Sequence, residues 1–240
     1  MRQRYRARLL AALLVCAAAT ACQRSEPPRN GSSASPPAGP AAAPAPPATP
    51  TPPGEDRPKI VVLGDSLTAG LGLSPAQAYP ALLQQKLDRE GYNWEVVNAG
   101  VSGDTSAAGL QRLDWALDAP NVRILVLELG ANDGLRGLPV GEMKKNLADI
   151  IERAQRKQIA VLLTGMEAPP NFGPEYVVSF RQTYRELSTQ YHVTLLPFLL
   201  DKVAGVPGLN QGDGIHPNIE GAAIVADNVW AVLKPMLPAA

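Results

Sequence analysis

Three side chains of this 240-residue chain could together carry out acyl transfer: a serine, a histidine and an aspartate. Ser66 follows Gly64 and Asp65 at the end of an apolar run, where we expect a strand to give way to a helix. The positive end of that helix would favour negative charge on the serine oxygen. A serine hydroxyl nevertheless needs a base to take its proton before it becomes a good nucleophile. Ser66 taken alone could equally well cap a helix.

The base must be one of the two histidines, because the chain contains no others. His192 lies at an expected helix end, where a capping role is the simpler interpretation. Asp213 precedes His216 by three residues, and Gly214 and Pro217 bracket a tight turn there. That spacing lets the carboxylate reach imidazole Nδ1, fix its tautomer and stabilise the imidazolium. The pair could also be a plain turn or half of a metal site, but no second cluster of ligands accompanies it, so we expect no metal.

Acyl transfer also needs hydrogen-bond donors for the oxyanion of the tetrahedral intermediate. Gly103 could offer a backbone N–H at close approach, Asn132 its side-chain amide, and Ser66 its own backbone N–H. Gly103 or Asn132 alone would more often be only a turn former. The segment around Ser66 lacks the Lys-Ser/Thr ending of a phosphate-binding loop and the Gly-x-Ser-x-Gly elbow of ordinary α/β-hydrolases.

The elements that must position these residues alternate along the chain from Lys59 onward. Short apolar runs predict strands over 60–63, 96–97, 124–129, 159–163 and 193–196. Longer amphipathic stretches predict helices over 79–87, 143–154 and 174–191, and a last helix from about Pro217. This alternation is typical of a parallel sheet in a three-layer α/β/α sandwich, doubly wound in the flavodoxin manner. The polar motifs follow strands one, two and three, at the carboxyl edge where such sheets bind ligands.

The separate motifs form four blocks: Gly64-Asp65-Ser66-Leu67, Gly103, Gly130-Ala131-Asn132-Asp133, and Asp213-Gly214-Ile215-His216-Pro217. In their order and places these blocks resemble those of the SGNH, or GDSL, hydrolases. The loops around Gly103 and Asn132 are most similar to those of the bacterial periplasmic acyl-thioesterase I/lysophospholipase and arylesterase subgroup. The resemblance implies a single flavodoxin-like domain with no cofactor. It also implies Ser66 as nucleophile, His216 as base and then acid, Asp213 as its partner, and an oxyanion hole formed by Ser66, Gly103 and Asn132.

The segment 166–174 is similar to the loop that borders the acyl pocket in that subgroup. Its prolines, and the absence of charge beyond Glu167, fit a semi-rigid apolar wall. The resemblance therefore implies a substrate-binding role for Met166, Pro169, Pro170, Asn171 and Phe172.

The first 58 residues differ sharply in composition from the rest. Residues 1–21 combine four arginines with an apolar stretch and end in Ala19-Thr20-Ala21, the layout of a secretory signal peptide. Those last residues with Cys22 resemble a lipobox, so we expect lipidation of Cys22 and a membrane tether; the alternative is a soluble secreted protein. Residues 22–58 are rich in proline and alanine and read as a disordered linker. The hydrolase domain is expected over 59–240, in the periplasm or anchored to the outer membrane.

Composition excludes several other functions. The cysteines are Cys16 and Cys22, so the folded part has no disulfide, cysteine metal site or thiol nucleophile. Without the signal peptide, 18 Lys and Arg stand against 22 Asp and Glu, and this net charge of −4 argues against a nucleic-acid partner. No oligomer is implied. Glu128, a charge at the end of an apolar strand, has no assigned role.

We therefore expect an esterase acting on small acyl esters, thioesters or lysophospholipids. A deacetylase of envelope carbohydrate would use the same constellation of residues. An alternative from another functional class is a non-catalytic lipoprotein that binds lipid in an inherited pocket. Such a protein would be expected to have lost a triad residue, whereas all three are present here.

Overall fold

The computed structural model describes residues 57–238. The predicted signal peptide, Cys22 and the linker up to residue 56 lie outside them. Pro58, assigned to the linker, already accepts a backbone hydrogen bond from Glu95 N at 3.0 Å, so contact with the sheet begins one residue before the first strand.

Five parallel strands form one sheet in the order β2-β1-β3-β4-β5. Their bounds are β1 Lys59–Gly64, β2 Glu95–Gly100, β3 Val122–Glu128, β4 Ala160–Thr164 and β5 Thr194–Leu196. All six residues of β1 are buried, because helices cover both faces of a central parallel strand. The predicted doubly wound sandwich is confirmed.

Eight α-helices flank this sheet within residues 57–238. They are α1 Ser66–Ala69, α2 Tyr79–Arg89, α3 Ser106–Gln111, α4 Leu113–Ala116, α5 Ala131–Leu135, α6 Val140–Arg156, α7 Pro174–Tyr191 and α8 Ile219–Leu233. Short 3₁₀ turns cover Pro75–Gln77, Pro170–Phe172 and Lys234–Met236. Helix α2 packs against α8 in one layer, whereas α6 packs against both α3 and α7 in the other.

The core lies between the sheet and the longer helices. The apolar face predicted for α6 is at most 1% exposed throughout: Met143, Leu147, Ile150, Ile151 and Ala154. Burying an aliphatic side chain of this size contributes about 1.5–3 kcal/mol relative to exposure. This packing holds the strand ends, and the loops that follow them, in fixed positions.

The C-terminal helix differs from its predicted start. Pro217 does not occupy the first turn; it forms an isolated antiparallel bridge with Asn210. The helix begins at Ile219 because Asn218 is its N-cap, with the side-chain oxygen accepting from Gly221 N at 3.0 Å. His192 ends α7 in a left-handed conformation, as expected of a capping residue.

Candidate active site

The motifs found in the sequence meet at the carboxyl edge of the sheet. Ser66 follows β1 and is the first residue of α1, and Asp65 rather than Ser66 is the N-cap, accepting from Leu67 N at 2.9 Å. Gly103 follows β2, and Asn132 lies in the first turn of α5 after β3. Because Asp65 caps the helix, the Ser66 hydroxyl is left free for another partner.

Ser66, His216 and Asp213 form a continuous chain of hydrogen bonds. His216 Nε2 lies 2.9 Å from Ser66 Oγ, although 150 residues separate them in sequence. His216 Nδ1 lies 2.6 Å from Asp213 Oδ2. Both distances are hydrogen bonds. The imidazole can thus take the serine proton at one nitrogen while the carboxylate accepts from the other.

Asp213 is held by its own turn as well as by the imidazole. Its Oδ1 accepts from Ile215 N at 2.9 Å and from His216 N at 3.0 Å. The hydrogen bond to the imidazole, followed by these two backbone bonds, lowers the pKa of Asp213 below its usual value. A carboxylate fixed in this way stays ionised and keeps the imidazole oriented toward Ser66.

Gly103 lies in a tight turn closed by a hydrogen bond from Asp104 N to Val101 O, 3.1 Å long. Its φ of +88° lies in the left-handed region, which a residue with a side chain rarely adopts. Its carbonyl accepts a hydrogen bond from Arg136 Nη2 at 2.9 Å. Gly103 lines the same cavity as Ser66 and Asn132.

The Asn132 amide already has two partners. Its Nδ2 donates to Asp65 Oδ2 at 3.1 Å and to the Asp104 carbonyl at 3.0 Å. Both distances lie within the usual range for N–H···O hydrogen bonds. The side chain is therefore oriented before any ligand binds, and an oxyanion would share or replace one of these acceptors.

A cavity of about 610 Å³ opens beside Ser66 and His216. Its wall is largely apolar and includes Leu135, Phe198, Leu200, Ala204 and Ile215. This volume is within the range of about 300–1,000 Å³ found for small-molecule sites. The cavity can accept an apolar chain attached to a group at Ser66.

Three of the five residues assigned to the substrate loop line this cavity: Met166, Pro169 and Pro170. Among the described residues, Asn171 and Phe172 lie outside its lining. The Phe172 ring packs against Tyr176 with centroids 5.3 Å apart, because the 3₁₀ turn over 170–172 directs it toward α7. Prolines and the apolar character of the segment predicted the wall, but not where the chain turns away from it.

Residues 62–224 match the GDSL-like Lipase/Acylhydrolase family. The chain belongs to this family. It is similar to Esterase TesA of Pseudomonas aeruginosa, with 45% identity over 74% of this chain and 89% of that protein. The Thioesterase 1/protease 1/lysophospholipase L1 of Escherichia coli K12 is 38% identical over 74% of this chain and 84% of its own length. Like these named relatives, this member of the family is a carboxylic ester hydrolase.

The fold agrees with this assignment. A crystal structure of TesA superimposes with a TM-score of 0.72 at 45% identity, covering 75% of this chain and 99% of that one. The resemblance inferred from the four sequence blocks is thus confirmed at the level of the family and of the fold.

Arg112 joins two loops of the site, although no spacing in the sequence indicates this contact. Its Nε donates to Asp104 Oδ2 at 2.6 Å, and its Nη2 donates to the Gly64 carbonyl at 2.9 Å. The carbonyl of Asp104 in turn accepts from Asn132. One guanidinium therefore ties the loop that carries Ser66 to the loop that carries Gly103.

Asp133 ties the loop that carries Asn132 to the loop that carries Gly103. It is buried, and its carboxylate accepts from Ser106 N at 2.8 Å and Ser106 Oγ at 2.6 Å. Asn146 of α6 then donates to Ser106 Oγ at 3.0 Å. Because Ser106 starts α3 just after Gly103, and Asp133 follows Asn132, this contact fixes the spacing of the two expected oxyanion donors.

Glu128 also belongs to this region, at the end of β3 and directly beneath the Ser66 loop. It is 0% exposed, and burial raises its pKa well above the usual value. Burial also raises the pKa of the neighbouring Asp65, to about 6. A charge at the end of an apolar strand was the feature by which the sequence indicated an unusual residue here.

Residues 57–238 contain no group of three or more histidine, cysteine, aspartate or glutamate side chains arranged to hold a metal ion. Within the same residues, no helix is both long and apolar enough to cross a bilayer.

Proposed function

We propose that this chain cleaves carboxylic esters and thioesters through an acyl-enzyme intermediate on Ser66. The single observation that carries the proposal is the pair of hydrogen bonds, 2.9 Å and 2.6 Å long, that joins Ser66 through His216 to Asp213. Ser66 and His216 also line an apolar cavity. A buried or distant serine would have no such pathway for its proton.

In the first half-reaction, Ser66 Oγ attacks the acyl carbon while His216 Nε2 takes its proton. Backbone N–H groups of Ser66 and Gly103 and the Asn132 amide stabilise the oxyanion of the tetrahedral intermediate. The intermediate collapses as the imidazolium gives its proton to the leaving alcohol or thiol, and the acyl group stays on Ser66. Water then attacks the ester with His216 as base, releasing the acid and restoring the serine.

The cavity favours an acyl group with an aliphatic chain. Its lining includes Leu71, Leu135, Leu200 and Ile215, together with Met166 and Pro169 of the loop that follows β4. The names of the relatives, esterase and thioesterase/lysophospholipase, are consistent with acyl substrates of this kind. An acetylated sugar would find few polar partners on this wall, so we place carbohydrate deacetylation second.

We further propose that the protein is exported. The layout of residues 1–21 is typical of a signal peptide, which supports this proposal. Residues 22–58 would then form a linker between a lipidated Cys22 and the hydrolase domain over 59–240. These segments lie outside the described residues. Such a tether would keep the enzyme near lipid substrates.

The proposal is tested by hydrolysis of p-nitrophenyl esters from acetyl to palmitoyl. We expect Ser66→Ala to lower kcat by several orders of magnitude, by about 10⁶-fold if the three residues act as a unit. Ser179→Ala, a change at an exposed serine of α7, is the matched control and should leave the rate unchanged. The chain length with the highest kcat/KM would identify the acyl class.

Equal rates for the wild type and Ser66→Ala would overturn the serine mechanism. Hydrolysis confined to acetyl esters would instead support the carbohydrate deacetylase. No hydrolysis of any ester by the wild type would favour a lipid-binding protein without activity.

A further inference from the structure

Glu128 is a fully buried carboxyl group that the mechanism above does not use. It is the last residue of β3, and the loop that carries Ser66 packs directly over it. An ionised carboxylate in such a place is very unfavourable unless it is paired with charge or fully hydrogen-bonded. The protonation state of Glu128 therefore depends on the donors and charges around it.

Oxygen Oε2 of Glu128 has two donors. It accepts from Asp65 N at 3.1 Å and from Thr68 Oγ1 at 2.8 Å. Thr68 Oγ1 also lies 2.8 Å from Tyr79 Oη. Because the single hydroxyl proton of Thr68 is given to Glu128, the Tyr79 hydroxyl must donate to Thr68.

Oxygen Oε1 of Glu128 has no donor among the described residues and is fully shielded. An ionised carboxylate would leave this acceptor unsatisfied, which is more unfavourable for a charged group than for a neutral one. A proton on the carboxyl group removes its negative charge, so no ionised oxygen is left buried without a donor. Burial raises the pKa of Glu128 well above its usual value, and the adjacent Asp65 charge acts in the same direction.

Asp65 connects this buried group to the oxyanion hole. Its Oδ1 accepts from Leu67 N, and its Oδ2 accepts from the Asn132 amide at 3.1 Å. Its backbone N–H is the one that Glu128 holds. Glu128 therefore holds the main chain of Asp65, and the side chain of Asp65 orients Asn132.

We propose that Glu128 is protonated at neutral pH and is a positioning residue, which holds Asp65 so that Asp65 holds the Asn132 amide at the oxyanion. This inference rests on the proposed function, in which Asn132 donates to the oxyanion. The neutral form also keeps two negative charges from lying side by side beneath the developing negative charge of the intermediate.

Packing leaves Glu128 little freedom to turn away. A methyl group at Gly64 would lie 2.4 Å from Glu128 Oε2 and 2.0 Å from Thr68 Oγ1. The absence of a side chain at Gly64 is what allows the carboxyl group to reach the Asp65 backbone. Arg112 also holds this loop, since it donates to the Gly64 carbonyl.

The titratable groups around Glu128 come from several elements. Asp65 faces it from the loop before α1, Tyr79 from α2 and Tyr184 from α7, and burial raises the pKa of both tyrosines well above the usual value. His216 acts on Asp65, whose pKa its charge lowers. Burial and the neighbouring Asp65 charge thus both favour the protonated form of Glu128.

Infrared spectroscopy of the purified protein at pH 7 tests the protonation directly. Exposed carboxyl groups are ionised at this pH. We expect the C=O stretch of a protonated carboxyl in the wild type, its loss in Glu128→Gln, and its retention in Glu142→Gln, a change at an exposed position of α6. A wild-type spectrum without the band would overturn the proposal, as would a band that persists in Glu128→Gln.

Ester hydrolysis tests the positioning role. Glutamine offers one acceptor and one non-titrating donor in place of the protonated carboxyl, so Glu128→Gln should keep kcat within about threefold of the wild type. Glu128→Leu removes the hydrogen bonds from Asp65 N and Thr68 Oγ1. It should lower kcat by about tenfold or more with KM nearly unchanged, because an oxyanion donor acts mainly in the transition state. In the Asn132→Ala background, Glu128→Leu should slow the enzyme by less than about twofold.

Wild-type kcat in Glu128→Leu, equal losses in Glu128→Gln and Glu128→Leu, or additive losses with Asn132→Ala would each overturn the positioning role. If Glu128→Leu does not fold, the infrared band and the rate of Glu128→Gln decide between the outcomes. Failure of the proposed function is seen separately, as activity that survives in Ser66→Ala.

Discussion

Asp65 lies between Ser66, the proposed nucleophile, and the buried Glu128, and these surroundings determine its charge. It is 1% exposed and neighbours Glu128, yet it accepts from Leu67 N and from Asn132. Burial raises its pKa to about 6, and these hydrogen bonds limit the rise. Asp65, which the sequence shows only as part of a motif, thus connects the loop of Ser66 to Asn132 and to the buried Glu128.

This raised pKa predicts how stability depends on pH. The folded state keeps a proton on the Asp65–Glu128 pair at pH values where the unfolded chain, with a usual aspartate pKa of 3.8, has lost it. The free energy of unfolding should therefore fall as pH rises from about 4 through 6, by up to about 3 kcal/mol from Asp65. Asp213, whose pKa is lowered, stabilises the fold above its usual pKa and loses that effect only in stronger acid.

Urea unfolding between pH 4.5 and 8 measures this dependence. In Glu128→Gln, where the side chain at position 128 cannot ionise, the fall should be shallower than in the wild type. A slope unchanged by Glu128→Gln would show that other groups govern the pH dependence.

At the scale of elements, the site depends on close approach between α1 and β2. Gly100 ends β2, and a methyl group there would lie 2.3 Å from Ala69 N and 2.7 Å from the Thr68 carbonyl carbon. These are backbone atoms of the helix that begins with Ser66. Only a residue without a side chain lets the helix lie this close to the strand.

Gly100→Ala should therefore displace α1, lowering stability by about 1–3 kcal/mol and also lowering kcat. Gly141→Ala is the control, since a methyl group there meets no atom within 4 Å in α6. That change should raise stability by about 0.4–1 kcal/mol and leave kcat unchanged. Thermal unfolding and ester hydrolysis measure both effects, and a Gly100→Ala protein that matches wild type in both would contradict the packing account.

Long elements were predictable from the sequence because their apolar patterns report burial. The run over 60–63 and the α6 face are buried as expected. Helices α3, α4 and α5, at four to six residues, are too short to show a full apolar stripe and were not predicted. The start of α8 was placed two residues early because Pro217 resembles a first-turn proline, whereas the bridge to Asn210 ends the loop there.

Site residues were predictable to the extent that a local motif carries them. Asp213 and His216 lie three apart, so their contact follows from one turn. The contacts of Arg112 with Gly64 and Asp104 join separate loops, and no local spacing indicates them. Glu128 is unusual in the sequence because it is a charged residue at the end of an apolar strand. Its partners are visible only in the structure, where β3 packs against the loop of Ser66.

At the scale of the whole molecule, one feature organises the site: parallel strands end at the same edge of the sheet. β1, β2 and β3 are neighbours in the sheet, so the loops that carry Ser66, Gly103 and Asn132 are neighbours too. The loop before α8 brings His216 to within 2.9 Å of Ser66 across 150 residues of sequence. The cavity of about 610 Å³ then lies where these loops meet.

Covalent trapping shows whether Ser66 is the nucleophile. A p-nitrophenyl alkylphosphonate should react at Ser66 Oγ, expel p-nitrophenol and leave a stable phosphonyl adduct, whose position peptide mass spectrometry identifies. We predict one adduct per chain, on the peptide containing Ser66, and none in Ser66→Ala. An adduct on another residue, or ester hydrolysis that continues in protein without an adduct on Ser66, would contradict the account.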